Sequence, residues 1–182
     1  VQFPDGLKRV IDGRPEAIRQ NCEDSLRRLG TDHLDLVLVH WPNPSQGEYE
    51  YAWDGLVQAR ERGLTRSIGV SNFHPHHLDR VIRSVGVTPA VNQVEVHPSF
   101  SQAGLLAENA RRGILTQAWS PLGKLEARYD APEVAGPAAR YEVTPAQVIL
   151  RWHLQRGDVV GSELRRDDLL DALHEDRLLG RE

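Results

Sequence analysis

The sequence predicts an α/β protein in which parallel strands alternate with helices, and three observations support this. Short aliphatic runs of strand length recur along the chain, the first of them at Leu34–Val39. Segments with the apolar spacing of amphipathic helices separate these runs. Glycine, which commonly ends a helix, follows most of the helical segments. Strands separated by helices pair in parallel through crossover connections, so a doubly wound sheet and a (β/α)8 barrel are both open.

The strands are predicted from runs of aliphatic and β-branched residues. The clearest is Leu34–Val39, with the sequence Leu-Asp-Leu-Val-Leu-Val. Such runs are typical of strands that are buried on both faces of a parallel sheet. Later in the chain, shorter or more polar runs predict further strands at 67–70, 90–96, 114–119 and 158–160.

The helices are predicted from apolar spacing and from signals at their ends. Pro15–Leu29 places Ile18, Cys22 and Leu26 on one face before Gly30. A capping box that starts at Thr144, with proline at the first helical position, opens a helix that stops at Gly157. Similar patterns predict helices at 49–62, 75–84 and 102–112.

The length predicts one domain over residues 1–182. A barrel typically needs about 250 residues, so the 182 residues present are too few for eight complete βα units. The segment 124–143 is rich in Ala and Pro with weak periodicity, which predicts a loop with at most one short helix.

Composition excludes several classes of protein. The formal net charge of −4 lacks the basic excess typical of nucleic-acid binders, and no apolar run approaches the roughly 20 residues of a membrane span. The single cysteine, Cys22, cannot form an internal disulfide, which favours the cytoplasm. The histidines at positions 74, 76 and 77 have no neighbouring carboxylate set, so no metal site is predicted.

Polar and aromatic residues follow successive predicted strands. The carboxyl ends of parallel strands meet at one edge, where α/β proteins bind their ligands. We therefore expect a shared pocket formed by the residues at these ends: His40, Trp41, Ser71, Asn72, Gln93 and Trp119.

Each of these residues also has a structural interpretation. His40 is the type of residue that bonds a backbone carbonyl, and Ser71 or Asn72 suits a helix N-cap. The indoles of Trp41 and Trp119 are alternatively packing residues, as we expect for Trp53 and Trp152 on helix faces. Gln93 is harder to explain structurally, because an amide within a buried strand needs a polar partner.

Taken together, five motifs resemble the aldo-keto reductase family. The His-Trp-Pro sequence after the first predicted strand is similar to the bacterial branch that reduces diketo-gluconate and small aldehydes or ketones. The motifs occur in the family's order, at 29–42, 66–73, 91–98, 118–123 and 144–152.

The resemblance implies a (β/α)8 barrel, only partly represented here, that binds NADP(H) and reduces the carbonyl group of a small molecule. It implies that His40 is catalytic and orients the substrate carbonyl, with Trp41 lining the substrate pocket. It implies a monomer, while the composition described above favours the cytoplasm and gives no sign of a nucleic-acid or membrane partner. The implied cofactor-binding residues are Ser71, Asn72, Gln93, Trp119, Ser120, Pro121, Leu122 and Gly123.

Two departures from the family pattern stand out. The family's catalytic tyrosine, lysine and aspartate belong to its first three βα units, which we expect upstream of Val1. Compared with the length of the family, about twenty residues are expected to be missing between Val160 and Gly161, near the eighth strand of the barrel. The abrupt start and the absence of Met favour part of a longer protein over a genuinely short product or a non-catalytic relative.

The leading functional hypothesis is an NADPH-dependent carbonyl reductase in which His40 is the one catalytic residue present. The alternative is a non-catalytic nucleotide-binding or regulatory protein on the same scaffold. A weaker third hypothesis is an unrelated barrel enzyme acting on phosphate esters, for which the sequence contains no evident ligand set.

Overall fold

Strands and helices alternate along the chain in the order that the apolar pattern predicts. The computed structural model describes residues 12–123 and 128–160. Its helices are α1 (Pro15–Leu29), α2 (Tyr49–Glu61), α3 (Pro75–Val85), α4 (Ala103–Arg111), α5 (Pro132–Tyr141) and α6 (Pro145–Arg156). Its strands are β1 (Leu34–Val39), β2 (Thr65–Ser71), β3 (Val91–Glu95), β4 (Leu115–Trp119) and β5 (Val159–Val160).

The chain divides into two compact units, the first ending at Ala90. In the first unit β1 and β2 pair in parallel, with Leu34 opposite Thr65 and Val39 opposite Val70. Helix α2 covers this pair with Trp53, which has no exposed surface and donates its indole N–H to the Val87 carbonyl at 3.3 Å. The packing role predicted for Trp53 is confirmed.

Close contact between α1 and α2 depends on Gly55. A Cβ added at Gly55 would lie 2.9 Å from the Cβ of Ile18 and 3.0 Å from the Cα of Pro15. Real Cβ atoms do not approach that closely, so the absence of a side chain at Gly55 allows the two helices to pack against each other.

In the second unit β3, β4 and β5 pair in parallel. A buried polar chain links β3 to β4 through α4. The amide of Asn92 donates to the side-chain oxygen of Asn109 at 3.2 Å, and the amide of Asn109 donates to the Thr116 hydroxyl at 3.0 Å. Because buried polar groups require partners, this chain constrains how the strands and helix pack.

Four helices begin at proline, namely α1, α3, α5 and α6. The residue before each proline is extended, as the proline ring requires. In α6 the predicted capping box is confirmed, since the Thr144 hydroxyl accepts from the Gln147 N–H at 3.2 Å and the Gln147 side chain accepts from the Thr144 N–H at 2.8 Å.

The predicted elements are confirmed, with small shifts at their ends. Residues 128–143, the described part of the segment 124–143, contain one helix, α5, as predicted. Trp152 is partly buried and packs against the cluster of Val94, Val96 and Ala118. No helix in the described part of the chain has the length and apolar character to cross a membrane. The interruption predicted between Val160 and Gly161 lies outside the described residues.

Candidate functional site

Three of the predicted site residues meet at the carboxyl ends of β1 and β2. His40 follows β1 directly, Ser71 ends β2, and Asn72 comes next. The amide nitrogen of Asn72 donates to the His40 carbonyl at 3.1 Å and to the Ser71 hydroxyl at 3.1 Å. Ser71 is fully buried, whereas His40 is exposed. The buried end of β2 therefore holds the backbone of His40, whose side chain solvent and solutes can reach.

Asn72 adopts the left-handed backbone conformation, with φ of 62°. Asparagine tolerates this region better than most residues because its short polar side chain bonds locally. The alternative in which Ser71 or Asn72 caps the following helix is wrong, since His74 is the N-cap of α3 and Ser71 belongs to β2. The two residues therefore shape the end of the strand rather than the start of the helix.

Trp41 lies beside His40 at the mouth of a cavity of about 250 Å³. The two rings meet edge to face, with their centroids 6.3 Å apart. Trp41 is 49% exposed, so the interpretation of Trp41 as a core packing residue is wrong. Both residues line the cavity together with side chains of α1, β1 and α2, and Cys22 is among them.

Three histidines lie at the start of α3, directly after this cluster. His76 and His77 have ring centroids 3.9 Å apart, and His74 stacks on His76 at 6.2 Å. His77 is buried and accepts the N–H of His74, and burial together with the neighbouring His76 and His74 lowers its pKa to about 4. Within residues 12–123 and 128–160, no group of three His, Cys, Asp or Glu side chains is placed to hold a metal ion.

In the second unit, alternation along β3 and β4 separates two faces. Asn92 and Val94 point to the buried face, as do Thr116 and Ala118. The half-buried face contains two cross-strand pairs, Gln93 opposite Gln117 and Glu95 opposite Trp119. Two of the predicted site residues, Gln93 and Trp119, therefore share one polar and aromatic face.

Gln93 differs from its prediction in two respects. Its side chain is half-buried, and the fully buried amide of this strand is Asn92. The amide nitrogen of Gln93 donates to the side-chain oxygen of Gln117 at 3.1 Å, so a protein residue satisfies it in part. Sequence reasoning missed Gln117, although its position two residues before the end of β4 matches that of Gln93 in β3.

The loop after β4 contains the other predicted cofactor-binding residues. Ser120 has a φ of 48°, and the Gly123 N–H donates to the Ser120 carbonyl at 2.9 Å, which closes a tight turn. Pro121 and Gly123 are buried and Leu122 is half-buried. The Pro121 carbonyl lies 3.2 Å from Nε2 of His153, a buried residue of α6 that the sequence assigned only to a helix.

None of the four tyrosines lies at the carboxyl end of a described strand. Tyr49 is buried on α2, where its ring meets Phe73 and His77 edge to face, and burial raises its pKa. The others are exposed, at positions 51, 129 and 141. The tyrosines therefore occupy packing or surface positions.

The structure thus places the predicted residues in two groups, one within each unit. His40, Trp41, Ser71 and Asn72 lie together at two strand ends of the first unit. Gln93, Trp119 and the turn 120–123 lie along one strand pair and its loop in the second. That the two groups share one pocket stays a prediction.

The sequence is similar to those of known aldo-keto reductases. The model of the aldo/keto reductase family matches residues 8–172. A 2,5-diketo-D-gluconic acid reductase B from a Corynebacterium species is 51% identical over 145 residues, covering 80% of this chain and 52% of the relative. Methylglyoxal reductase DkgA of Yersinia pestis is 46% identical over 143 residues, covering 78% of this chain and 52% of the relative.

Solved structures give the same result. A mutant of Gox0644, crystallised in complex with NADPH, superposes with a TM-score of 0.82 at 38% identity, covering 89% of this chain and 61% of that one. The chain spans about half the length of the curated relatives it matches. Its parallel strands and helices represent part of the family's (β/α)8 barrel, and the chain belongs to the aldo/keto reductase family.

Proposed function

We propose that the protein is an NADPH-dependent carbonyl reductase that converts small aldehydes or ketones to alcohols. The observation that supports this most directly is the joined cluster at the ends of β1 and β2, where Asn72 holds the His40 carbonyl at 3.1 Å. It fixes the backbone of an exposed histidine at the edge where parallel α/β folds bind their ligands. Family membership and a structural neighbour solved with NADPH support the same chemistry.

The residues present fit a nicotinamide cofactor by the chemistry of their side chains. Amide and hydroxyl groups of Ser71, Asn72 and Gln93 match the donors and acceptors of a carboxamide, and the Trp119 indole offers a flat face for the ring. In our proposal the turn at 120–123 holds the pyrophosphate. When bound, the cofactor would supply the hydride that the carbonyl carbon accepts, and the family's catalytic tyrosine would supply the proton that the carbonyl oxygen takes up.

His40 is proposed to orient the substrate carbonyl through a hydrogen bond to its oxygen. A neutral imidazole has one N–H and can donate while staying uncharged, so the bond strengthens as negative charge develops on the oxygen. Trp41, half-exposed beside it, is proposed to contact the body of the substrate. Neither role requires a metal ion.

The proposed substrates are small molecules that contain two carbonyl groups. Two relatives are named for 2,5-diketo-D-gluconic acid and for methylglyoxal. Methylglyoxal has its two carbonyl groups on adjacent carbons, whereas two carbons separate the keto groups of 2,5-diketo-D-gluconic acid. The feature the two compounds share is a pair of carbonyl groups in one small molecule. Such dicarbonyl compounds are therefore the first substrates to assay.

The test is the His40→Ala variant of the full-length protein, in a steady-state assay with NADPH and a dicarbonyl substrate. If His40 stabilises the developing oxyanion, kcat/KM should fall roughly 100-fold, the typical effect of removing one such donor. NADPH affinity should stay close to that of the wild type. The matched control is His76→Ala, another exposed histidine, which should leave kcat/KM unchanged.

Two outcomes would contradict the proposal. Unchanged kcat/KM in His40→Ala would remove His40 from the reaction. A full-length wild-type protein that binds NADPH without reducing any carbonyl compound would instead support the non-catalytic alternative.

We also propose that the protein is cytoplasmic and monomeric. Cys22 is buried and burial raises the pKa of its thiol, which suits a free thiol kept in a reducing compartment. The family resemblance favours a monomer. Light scattering coupled to gel filtration measures the assembly directly, and a mass of two or more chains would contradict this part.

A further inference from the structure

A buried histidine connects three segments of the second unit. The side chain of His153, on α6, has no exposed surface. Its Nε2 lies 3.2 Å from the carbonyl oxygen of Pro121, in the loop after β4, and its Nδ1 lies 3.3 Å from Oδ2 of Asp158, just before β5. One imidazole ring therefore contacts both the turn after β4 and the residue that leads into β5.

Both ring nitrogens face atoms that accept hydrogen bonds. A neutral imidazole has a single N–H, so in either tautomer one nitrogen would point its lone pair at an oxygen. The Pro121 carbonyl cannot supply a proton. Both contacts are therefore satisfied only if the pair holds one extra proton. Either His153 is an imidazolium with two N–H groups, or the Asp158 carboxyl is protonated and donates to a neutral ring.

The surroundings favour the charged pair over the neutral one. Nε of Arg156 lies 3.4 Å from the same Oδ2 of Asp158, and a nearby guanidinium favours the carboxylate form. Within the described residues, Arg156 is the charged side chain that forms an ion pair with Asp158 besides His153, and the Trp152 ring packs on His153 edge to face at 4.8 Å. The extra proton therefore belongs on the imidazole.

We propose that His153 is a positioning residue that Asp158 holds as an imidazolium, and that its Nε2–H bond to the Pro121 carbonyl fixes the turn at 120–123 for the cofactor pyrophosphate. The turn needs such an anchor because Ser120 is held in the left-handed region. The part of the proposal that concerns pyrophosphate rests on the proposed function. The protonation of His153 does not.

The first test is nuclear magnetic resonance of the wild-type protein with labelled histidine, without nucleotide, at neutral pH. Both ring nitrogens of His153 should carry a proton. In Asp158→Asn the amide can donate to Nδ1 while a neutral ring still donates from Nε2 to Pro121, so one ring proton should disappear. A singly protonated His153 in the wild type would overturn the proposal, whatever the protein does with NADPH.

The second test measures NADPH affinity from neutral to alkaline pH. In the wild type, deprotonation of His153 should release Pro121 and weaken binding roughly tenfold, the usual effect of losing one charged hydrogen bond. Asp158→Asn should bind NADPH about as tightly as the wild type does at neutral pH, and its affinity should not fall as the pH rises. His153→Leu should bind weakly at every pH, and His76→Leu, which changes an exposed histidine, should match the wild type.

Amide hydrogen exchange at Leu122 and Gly123 tests the anchoring of the turn separately from the binding of pyrophosphate. If the His153 ring anchors the turn, the exchange rate should rise in His153→Leu even without nucleotide. Unchanged exchange in that variant would overturn the positioning role. Raised exchange in a protein that binds no NADPH would support the anchor and contradict the proposed function alone. Because wild-type resonances and Asp158→Asn both report on the pair, the test does not depend on His153→Leu folding.

Discussion

At the scale of single residues, the ends of β1 and β2 show how one side chain can form a site. The Asn72 amide joins two strand ends, while its own backbone takes the left-handed conformation that reverses the chain toward α3. The amide nitrogen of Asn72 holds the strand ends together, and its side-chain oxygen is the group that could accept a hydrogen bond from a ligand. The sequence indicated the position of Asn72 but not its bond to the His40 carbonyl, because that bond depends on the parallel pairing of β1 with β2.

His77 gives the fold a defined sensitivity to acid. Its pKa is lowered to about 4 in the folded protein, against 6.5 for an ordinary histidine, chiefly because it is buried. Below pH 6.5 the unfolded chain binds a proton that the folded chain does not. We therefore expect the free energy of unfolding to be unaffected by this group above pH 6.5. As the pH falls from 6.5 toward 4, the free energy of unfolding should decrease by roughly 1–3 kcal/mol, because protonation favours the unfolded chain.

Urea unfolding of the wild type at a series of pH values measures this loss. The variant His77→Gln retains an acceptor for the His74 N–H but does not titrate, so its stability should change less over the same interval. An exposed histidine, changed in His76→Gln, is the matched control and should leave most of the pH dependence in place. Equal pH dependence in His77→Gln and the wild type would show that other groups are responsible.

At the scale of elements, the contact between α1 and α2 is the most closely constrained. In Gly55→Ala the new methyl would lie 2.9 Å from the Cβ of Ile18, and part of the contact is with the backbone of Pro15. Forcing the helices apart should lower the free energy of unfolding by about 1–3 kcal/mol, despite the better helix propensity of alanine. Chemical denaturation followed by circular dichroism measures the change.

The control for this prediction is Gly104→Ala. Gly104 lies in α4, and a Cβ added there meets no atom within 4 Å. Its stability should stay the same or rise by up to about 1 kcal/mol, from helix propensity alone. Equal destabilisation by both substitutions would mean that the α1–α2 contact is looser than described.

The elements also show what the sequence could and could not predict. Leu34–Val39 was predicted with its observed bounds because its aliphatic run is continuous. The strand predicted at 67–70 extends over Thr65–Ser71, because pairing with β1 recruits Thr65 opposite Leu34 although the apolar pattern does not reach that far. Contacts such as Gln93 with Gln117 depend on the register of two strands, which no local pattern encodes.

At the scale of the whole molecule, the motifs predicted the family before any geometry was known. Each motif is a continuous run of residues that can be recognised in the sequence, whereas the contact between His153 and Asp158 is not part of any such motif. Those two residues lie five positions apart, in a helix and just beyond it, and only the folded chain shows that both belong to one contact. Their role was therefore out of reach of pattern analysis.

Cofactor binding should stabilise the whole protein. At about 100 times its dissociation constant NADPH should add about 2.7 kcal/mol to the free energy of unfolding and raise the thermal midpoint. Trp119→Ala should reduce that increase, because the proposed stacking surface is gone, whereas Trp41→Ala should retain it. Differential scanning calorimetry with and without NADPH makes the comparison, and an equal increase in Trp119→Ala would contradict the stacking role.

The prolines that open α1, α3, α5 and α6 affect how the loops of this fold can change in length during evolution. Each one sets the backbone of its own helix start and of the residue before it, without help from distant contacts. A loop that lengthens or shortens upstream of such a proline leaves the first turn of the helix where it was. New specificities could thus arise by exchanging loops while the helices beneath them keep their register.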